Sequence, residues 1–194
     1  TNPCAEVPLE KGGACNLASV NLSRMVDGGF TVNASVNWER IKSVTETAVR
    51  FLDNVTSWNE TLNPLETQRK TAAETRRLGL GTMGAADMLN QLGIAYDSPE
   101  GIQLVERVMK TIANTAYQVS ANLAEEKGKL AIFNYEKYAQ GPFFKEALSE
   151  ETKKLVKQQG LRNVALLAIA PTGSISNIVL SYVNGTKNYL GVSS

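Results

Sequence analysis

The chain has 194 residues, 43% hydrophobic and 20% charged, and carries a net charge of +1 from 20 basic and 19 acidic side chains. These are ordinary globular values, and the charge balance gives no electrostatic case for nucleic acid or a membrane surface. No apolar run reaches the roughly 20 residues of a transmembrane helix, and two cysteines are too few for a disulfide framework, so a reduced, cytoplasmic setting is expected.

In chain order, "CNLASVNLSRMV" alternates apolar and small polar residues and predicts a short strand. "DGGFTVNAS" is turn chemistry. From Val36 the period changes, and Trp38, Ile41, Val44, Ala48, Phe51 and Val55 fall on one helical face, with Ser35 as the expected N-cap. "NETLNP" breaks that helix, and "LETQRKTAAETRR" predicts a polar surface helix. "LGLGTMGAADMLNQLG" reads as a strand over Leu78 to Leu80 and a short helix stopped by Gly93. Its glycines at 79, 81 and 84 allow close backbone approach and are read as packing of strand on helix. As a nucleotide-binding glycine loop the segment is out of register.

The clearest helix follows. Ser98 caps it, Pro99 opens it, Gly128 stops it, and Ile102, Val105, Met109, Ile112, Ala116, Val119 and Leu123 make its buried stripe. "IFNYEKYAQGPFF" is aromatic and irregular, with one helical turn. "SEETKKLVKQQG" predicts a short helix between Ser149 and Gly160. "NVALLAIA" reads as a fully buried strand running into the small-residue loop "PTGSISN". Strands alternating with helices predict an α/β arrangement, with residues 1–194 forming a single domain. The chain opens on Thr1 and closes on "NYLGVSS", so a processed chain or a piece of a longer one is expected.

Both cysteines stand in the first fifteen residues, in "TNPCAEVPLEKGGAC". Pro3 restricts Asn2 to an extended conformation. If Cys4 and Glu6 are extended too, the period of two puts Asn2, Cys4 and Glu6 on one side of the backbone. No histidine is available as base for a nucleophilic cysteine, and two thiols fall short of a four-ligand zinc site. A Cys4–Cys15 redox pair and a buried structural cysteine beside a surface glutamate both stay open.

The order of these residues carries a resemblance. "NPCAEVPL" followed by "GACNLASVNL" closely resembles the active-site segment of ribonucleotide reductase large subunits, and the Asn-Pro-Cys-x-Glu form resembles the adenosylcobalamin-dependent, class II branch. "RRLGLGTMGAADMLNQLGI" and "NVALLAIAPTGSISNI" resemble later segments of the same family, in the same order and spacing. The resemblance runs over essentially the whole chain, and covers the middle-to-late part of a full-length reductase.

The resemblance implies roughly the second half of a ten-stranded α/β barrel, helix-rich, that converts ribonucleotides to deoxyribonucleotides for DNA replication by thiyl-radical chemistry. By position Cys4 is the radical cysteine that takes the 3′ hydrogen, Glu6 the base on the 3′ hydroxyl, and Asn2 a hydrogen-bonding group for a ribose hydroxyl. Cys15 matches one half of a dithiol that delivers reducing equivalents, its partner cysteine lying in the family's amino-terminal half. Thr172, Gly173, Ser174 and Ile175 match the diphosphate-binding loop, where small residues after a strand expose backbone N–H groups. The implied partners are a ribonucleoside di- or triphosphate, a complementary chain with the missing barrel half and a thioredoxin-like reductant. The implied cofactor is adenosylcobalamin, with no binding residue identifiable here. The alternatives are a diverged nucleotide- or partner-binding fragment, and a thiol redox protein using Cys4 and Cys15.

Overall fold

A computed structural model describes residues 1–179 and 191–194 in full; between them it describes only the backbone of 182–183 and 186–187. The segment "VLSYVNGTKNYLGVSS" that follows the small-residue loop falls partly outside the described residues.

The expected first strand is β1 (Asn16–Asn21), followed by a 3₁₀ turn at Leu22–Arg24. β2 (Val26–Asp27) and β3 (Ser35–Val36) pair antiparallel around the predicted turn. That pairing holds Ser35 extended, so it is not the cap of the next helix. Asn37 caps α1 (Trp38–Leu62), its Oδ1 accepting from Arg40 N–H at 2.8 Å. α2 (Glu66–Thr75) lies on the surface as expected, with only Ala72 buried. β4 (Leu78–Met83) is longer than the predicted strand and pairs parallel with β1. β1, α1, α2 and β4 thus form a β-α-β crossover, the unit that parallel strands require.

α3 (Ala85–Leu92) stops at Gly93, and α4 (Pro99–Lys127) runs from the Ser98 cap to Gly128, as the sequence predicts. The aromatic stretch forms two short helices, α5 (Tyr135–Tyr138) and α6 (Pro142–Ala147), and α7 (Glu150–Gln159) is capped by Ser149. α8 (Gly173–Ile178) begins in the small-residue loop. A backbone hairpin, β5 (Tyr182–Val183) and β6 (Thr186–Lys187), follows. Among the described residues no helix is long and apolar enough to cross a membrane.

Two expected stripes are shifted. The buried face of α1 holds Ile41, Thr45, Val49, Leu52, Asp53 and Thr56, while Phe51 is 59% exposed. Hydrophobicity alone misplaced that face, because the polar residues on it bring their own partners. Thr45 Oγ1 donates to Ile41 O, and Thr56 Oγ1 donates to Leu52 O while accepting from Asn16 Nδ2 at 3.0 Å. On α4 the expected stripe holds from Ile112 onward, but Ile102 is 63% exposed in the first turn.

"NVALLAIA" is not the fully buried strand expected. It is an extended segment beside β4, joined by Leu78 N–H to Ala165 O, Leu80 N–H to Leu166 O and Ala168 N–H to Leu80 O, with one parallel bridge between Leu80 and Leu167. Leu166 is buried and Ile169 exposed. Only its β4 side is covered by a strand among the described residues, so its apolar run is half-buried. Gly81 permits this approach, since a Cβ there would lie 2.4 Å from Ala168 O. Gly79 and Gly81 therefore pack strand against strand, not strand against helix, while Gly84 lies against Asn21 and Ser23 at the 3₁₀ turn.

One buried carboxylate ties these pieces together. Asp53 is fully buried on α1. Its Oδ1 accepts from Arg76 Nη2 (2.8 Å) and Nε (3.1 Å) and from Asn163 Nδ2 (3.1 Å). Its Oδ2 accepts from Arg162 Nε at 2.9 Å. Arg76 also reaches Glu60 at 2.6 Å, and Arg162 Nη1 donates to the carbonyls of Lys127 and Gly128 at the end of α4. Asn163 accepts from Ser120 of α4 and donates to Arg76 O. Arg76 holds the left-handed conformation, φ 44°, that ends α2 and turns the chain into β4.

Burial opposes ionisation of Asp53, but the hydrogen bonds from Arg76 and Arg162 prevail and hold its carboxyl below the usual range. Its stabilising contribution is therefore complete above the unfolded carboxylate value, near pH ~4, and is lost as pH falls through the lowered folded value. Replacing Asp53 by Ala leaves the buried Arg76 and partly buried Arg162 guanidinium groups without their shared counter-charge. The expected loss is about 3–5 kcal/mol, read as a lower urea midpoint at unchanged slope. Stability followed below pH 4 should fall less steeply in Asp53→Ala than in the parent chain.

Candidate active site

The first seven residues do not run extended. Asn2 N–H donates to Val7 O (3.2 Å), Val7 N–H donates to Asn2 Oδ1 (3.1 Å), and Ala5 N–H donates to Asn2 O (3.2 Å). Ala5 sits at φ 62°, the left-handed region that a residue with a Cβ enters at a cost of about 1–2 kcal/mol. The chain folds into a closed turn anchored by buried Val7, with Cys4 and Ala5 exposed at its apex. The period-two arrangement is replaced by this turn, which still carries Asn2, Cys4 and Glu6 together. The Asn2 carbonyl oxygen is spent on Val7, which leaves its NH2 as the end that can serve a ligand.

Glu6 Oε2 is buried and has no hydrogen-bond partner among the described residues. Buried carboxylate oxygens are nearly always satisfied, so an unsatisfied one marks a functional candidate. Cys4 and Cys15 are both free thiols. Cys15 is half-buried, and burial pushes its thiol up to about 11, against the pull of the Arg77 guanidinium and with the push of Glu6 and Glu10. It is a neutral thiol near pH 7.

The surroundings of Cys15 are set by strand pairing. In the β1–β4 register Leu17 lies level with Gly79. A Cβ at Gly79 would lie 2.5 Å from Leu17 Cδ2 and 2.8 Å from Cys15 Sγ. Gly79 is thus the space in which the Cys15 sulfur sits. The sequence flagged Gly79 for close approach but could not name what approaches, because that depends on a register between residues 62 positions apart.

The second half of the candidate site starts at Thr172. This residue is 7% exposed, its Oγ1 is buried without a partner among the described residues, and its backbone holds φ 55°. Strain and an orphaned hydroxyl at one residue are the signature of a position kept for something other than stability. Thr172 O accepts from Ser176 N–H, so the N–H groups of Gly173, Ser174 and Ile175 precede the first intrahelical bond, and no side chain among the described residues caps them. All three residues are exposed. Residues 191–193 brace this corner. Val192 N–H donates to Ser176 O, and Ser193 bonds through its carbonyl to Gly84 N–H and through its N–H to Asp87 Oδ2. A cleft of about 730 Å³ lies elsewhere, lined by residues 19–21 and 24–28 with Arg40 and Val44, and contains none of the expected site residues.

Two parallel strands joined by a helical crossover, with an extended segment beside the second, make an α/β arrangement. A family model described as ribonucleotide reductase, barrel domain, matches residues 1–191, and the chain belongs to that family. It is similar to the vitamin B12-dependent ribonucleoside-diphosphate reductase of Mycobacterium tuberculosis (strain ATCC 25618 / H37Rv), at 39% identity over 92% of this chain and 22% of that protein. A protein of the same name from Thermoplasma acidophilum is 39% identical over 92% of this chain and 20% of its own length. The ribonucleoside-diphosphate reductase subunit alpha of Helicobacter pylori (strain ATCC 700392 / 26695) is 37% identical over 85% of this chain and 22% of its own length. The chain therefore spans about a fifth of these curated relatives. Among solved structures, the Actinobacillus ureae class Id ribonucleotide reductase alpha subunit matches with a TM-score of 0.60 and 24% identity, over 92% of this chain and 27% of that one, a likeness of fold.

Gly79→Ala tests the packing at Cys15. The added methyl collides with Leu17 and the Cys15 sulfur, and overpacking of this kind costs about 1–3 kcal/mol. Thermal denaturation should show the loss, and the alkylation rate of Cys15 should change while that of Cys4 does not.

Proposed function

We propose that this chain supplies the radical loop and the phosphate loop of a ribonucleotide reductase acting on ribonucleoside diphosphates, and that it forms about half of a ten-stranded α/β barrel as a single domain. One observation carries the reading. In a chain of the reductase barrel family, a single closed turn holds an exposed thiol, Cys4, and a buried carboxylate oxygen, on Glu6, without a partner among the described residues. The names of the relatives support a diphosphate substrate and a cobalamin cofactor.

In this mechanism Cys4 Sγ, as a thiyl radical, takes the 3′ hydrogen of the ribose. Glu6 accepts the 3′ hydroxyl proton through its unpartnered Oε2, which needs a reach of roughly 2.6–3.2 Å. Asn2 donates its NH2 to a ribose hydroxyl, its carbonyl end being held by Val7. Cys15 gives reducing equivalents as the 2′ hydroxyl leaves as water, with a second cysteine from outside this chain, and a thioredoxin-like dithiol restores the pair. Thr172 Oγ1 and the N–H groups of Gly173, Ser174 and Ile175 hold the diphosphate. Adenosylcobalamin, when bound, supplies the initiating radical. The exposed Cys4 sulfur fits delivery from outside the chain, and no residue here is assigned to hold the cofactor.

Exposure of Cys4 also argues for a complementary chain, because a radical needs a site closed to water. The two other readings have less support. A Cys4–Cys15 redox protein is served poorly by a Cys15 thiol held at about 11, and family membership favours the reductase over a diverged binding fragment.

Co-expression with a chain carrying the amino-terminal barrel half, followed by a cobalamin-dependent assay of diphosphate reduction, tests the proposal. Cys4→Ser should abolish turnover with an unchanged circular dichroism spectrum. Glu6→Gln should lower it by roughly 10²–10⁴-fold, the usual worth of a general base. Turnover that survives Cys4→Ser would sink the radical role.

A further inference from the structure

Cys15 stands one residue before β1, and Arg77 one residue before β4. The ladder places Asn16 level with Leu78 and Leu17 level with Gly79. One step back along the same register, Cys15 lies level with Arg77. Cys15 Sγ and Leu17 Cδ2 both lie against the Gly79 Cβ position, so residues 15 and 17 share that face. Arg77, two residues before Gly79, belongs to the same face by strand alternation.

Arg77 does not hang free. Its Nη2 donates to Glu10 Oε2 at 3.0 Å, across the loop that leads to Cys15. Its side chain is 17% exposed, and its Nε is buried without a partner among the described residues. Glu10 is fixed in turn. Burial opposes its charge, while a bond from its own backbone N–H and the Arg77 guanidinium hold its carboxyl below the usual range. The charged groups that bear on Cys15 are Arg77, Glu6 and Glu10.

We infer that Arg77 is a positioning residue for Cys15, its guanidinium braced by Glu10 so that it stabilises negative charge on the Cys15 sulfur. The inference rests on the reading of Cys15 as half of a redox dithiol. When that dithiol is oxidised, a thiolate of the incoming protein dithiol attacks the partner sulfur. The S–S bond breaks, and its electron pair goes to Cys15 Sγ, which leaves as thiolate and then takes a proton from water. The second reductant thiol then attacks the mixed disulfide, so the reductant is oxidised and both site cysteines are reduced. A thiol of lower pKa leaves faster. Burial alone makes Cys15 a poor leaving group, and Arg77 offsets part of that penalty. Glu10 sets how much, because it both holds the guanidinium and opposes it.

The coupling is measurable without turnover. In the 194-residue chain carrying Cys4→Ser, the alkylation rate of Cys15 by neutral iodoacetamide is followed by intact mass from pH 7.5 to 10.5. Adding Arg77→Ala should slow the reaction roughly three- to tenfold at pH 9 and move the profile to higher pH. Arg77→Lys should retain most of the parent rate, and Glu10→Gln should raise it. An unchanged profile in folded Arg77→Ala overturns the inference. Should Arg77→Ala lose its helical circular dichroism, Glu10→Gln decides alone, and a rate equal to or below the parent's overturns it. A failed reductase assay would defeat the proposed function and leave this coupling standing, so the two failures are distinguishable.

Discussion

The fold depends on a buried carboxylate. Asp53 gathers Arg76 and the adjacent pair Arg162 and Asn163 from two places far apart in sequence. Each of those residues stands where the chain changes direction: at the end of α2, just after α7, and at the start of the extended segment beside β4. Through Arg162 and Asn163 the network also holds the end of α4. A buried ion pair is weak evidence for net stability, since well-packed apolar residues often do as well. Its contribution here is geometric. Hydrophobic contact would let the strands slide, whereas a carboxylate that accepts four short bonds from defined directions does not. That fixed register is what places Cys15 against Gly79 and level with Arg77.

Stability is spent locally at the two ends of the candidate site. Ala5 and Thr172 both hold left-handed backbone without being glycine. Glu6 and Thr172 each keep a buried oxygen without a partner among the described residues. Both are positions that the sequence had singled out for chemistry, whereas the left-handed Arg76 ends α2 and the left-handed Phe30 lies in the turn between β2 and β3.

The two thiols are handled differently. Cys4 is carried out on an exposed turn whose only deep anchor is Val7. Cys15 is drawn against a strand, half-buried, and kept protonated by its surroundings. A radical-carrying sulfur must be reached by its substrate from above. A sulfur that exchanges with a disulfide must be held at a fixed distance from a partner. Under the roles proposed for Cys4 and Cys15, the exposed loop and the strand edge answer those separate needs.

Local chemistry alone determined much of this protein. Ser98, Pro99 and Gly128 bound α4, Ser149 and Gly160 bound α7, and Gly93 ends α3, because caps and stops act over three or four residues. The order Asn2, Cys4, Glu6, Cys15 and the run Thr172–Ile175 pointed to the reductase family before any fold was known. Tertiary structure decided the rest. Phe51 and Ile102 looked like core and are exposed, while Thr45, Asp53 and Thr56 looked polar and are inside. Their placement turns on hydrogen bonds to residues up to 110 positions away, which no local period encodes. "NVALLAIA" reads as a buried strand because its composition is apolar, yet it has a strand on one side only among the described residues. The roles of Gly79, Arg77 and Glu10 come from the parallel pairing of β1 with β4. That pairing exists only once the crossover has closed and Asp53 has fixed its ends.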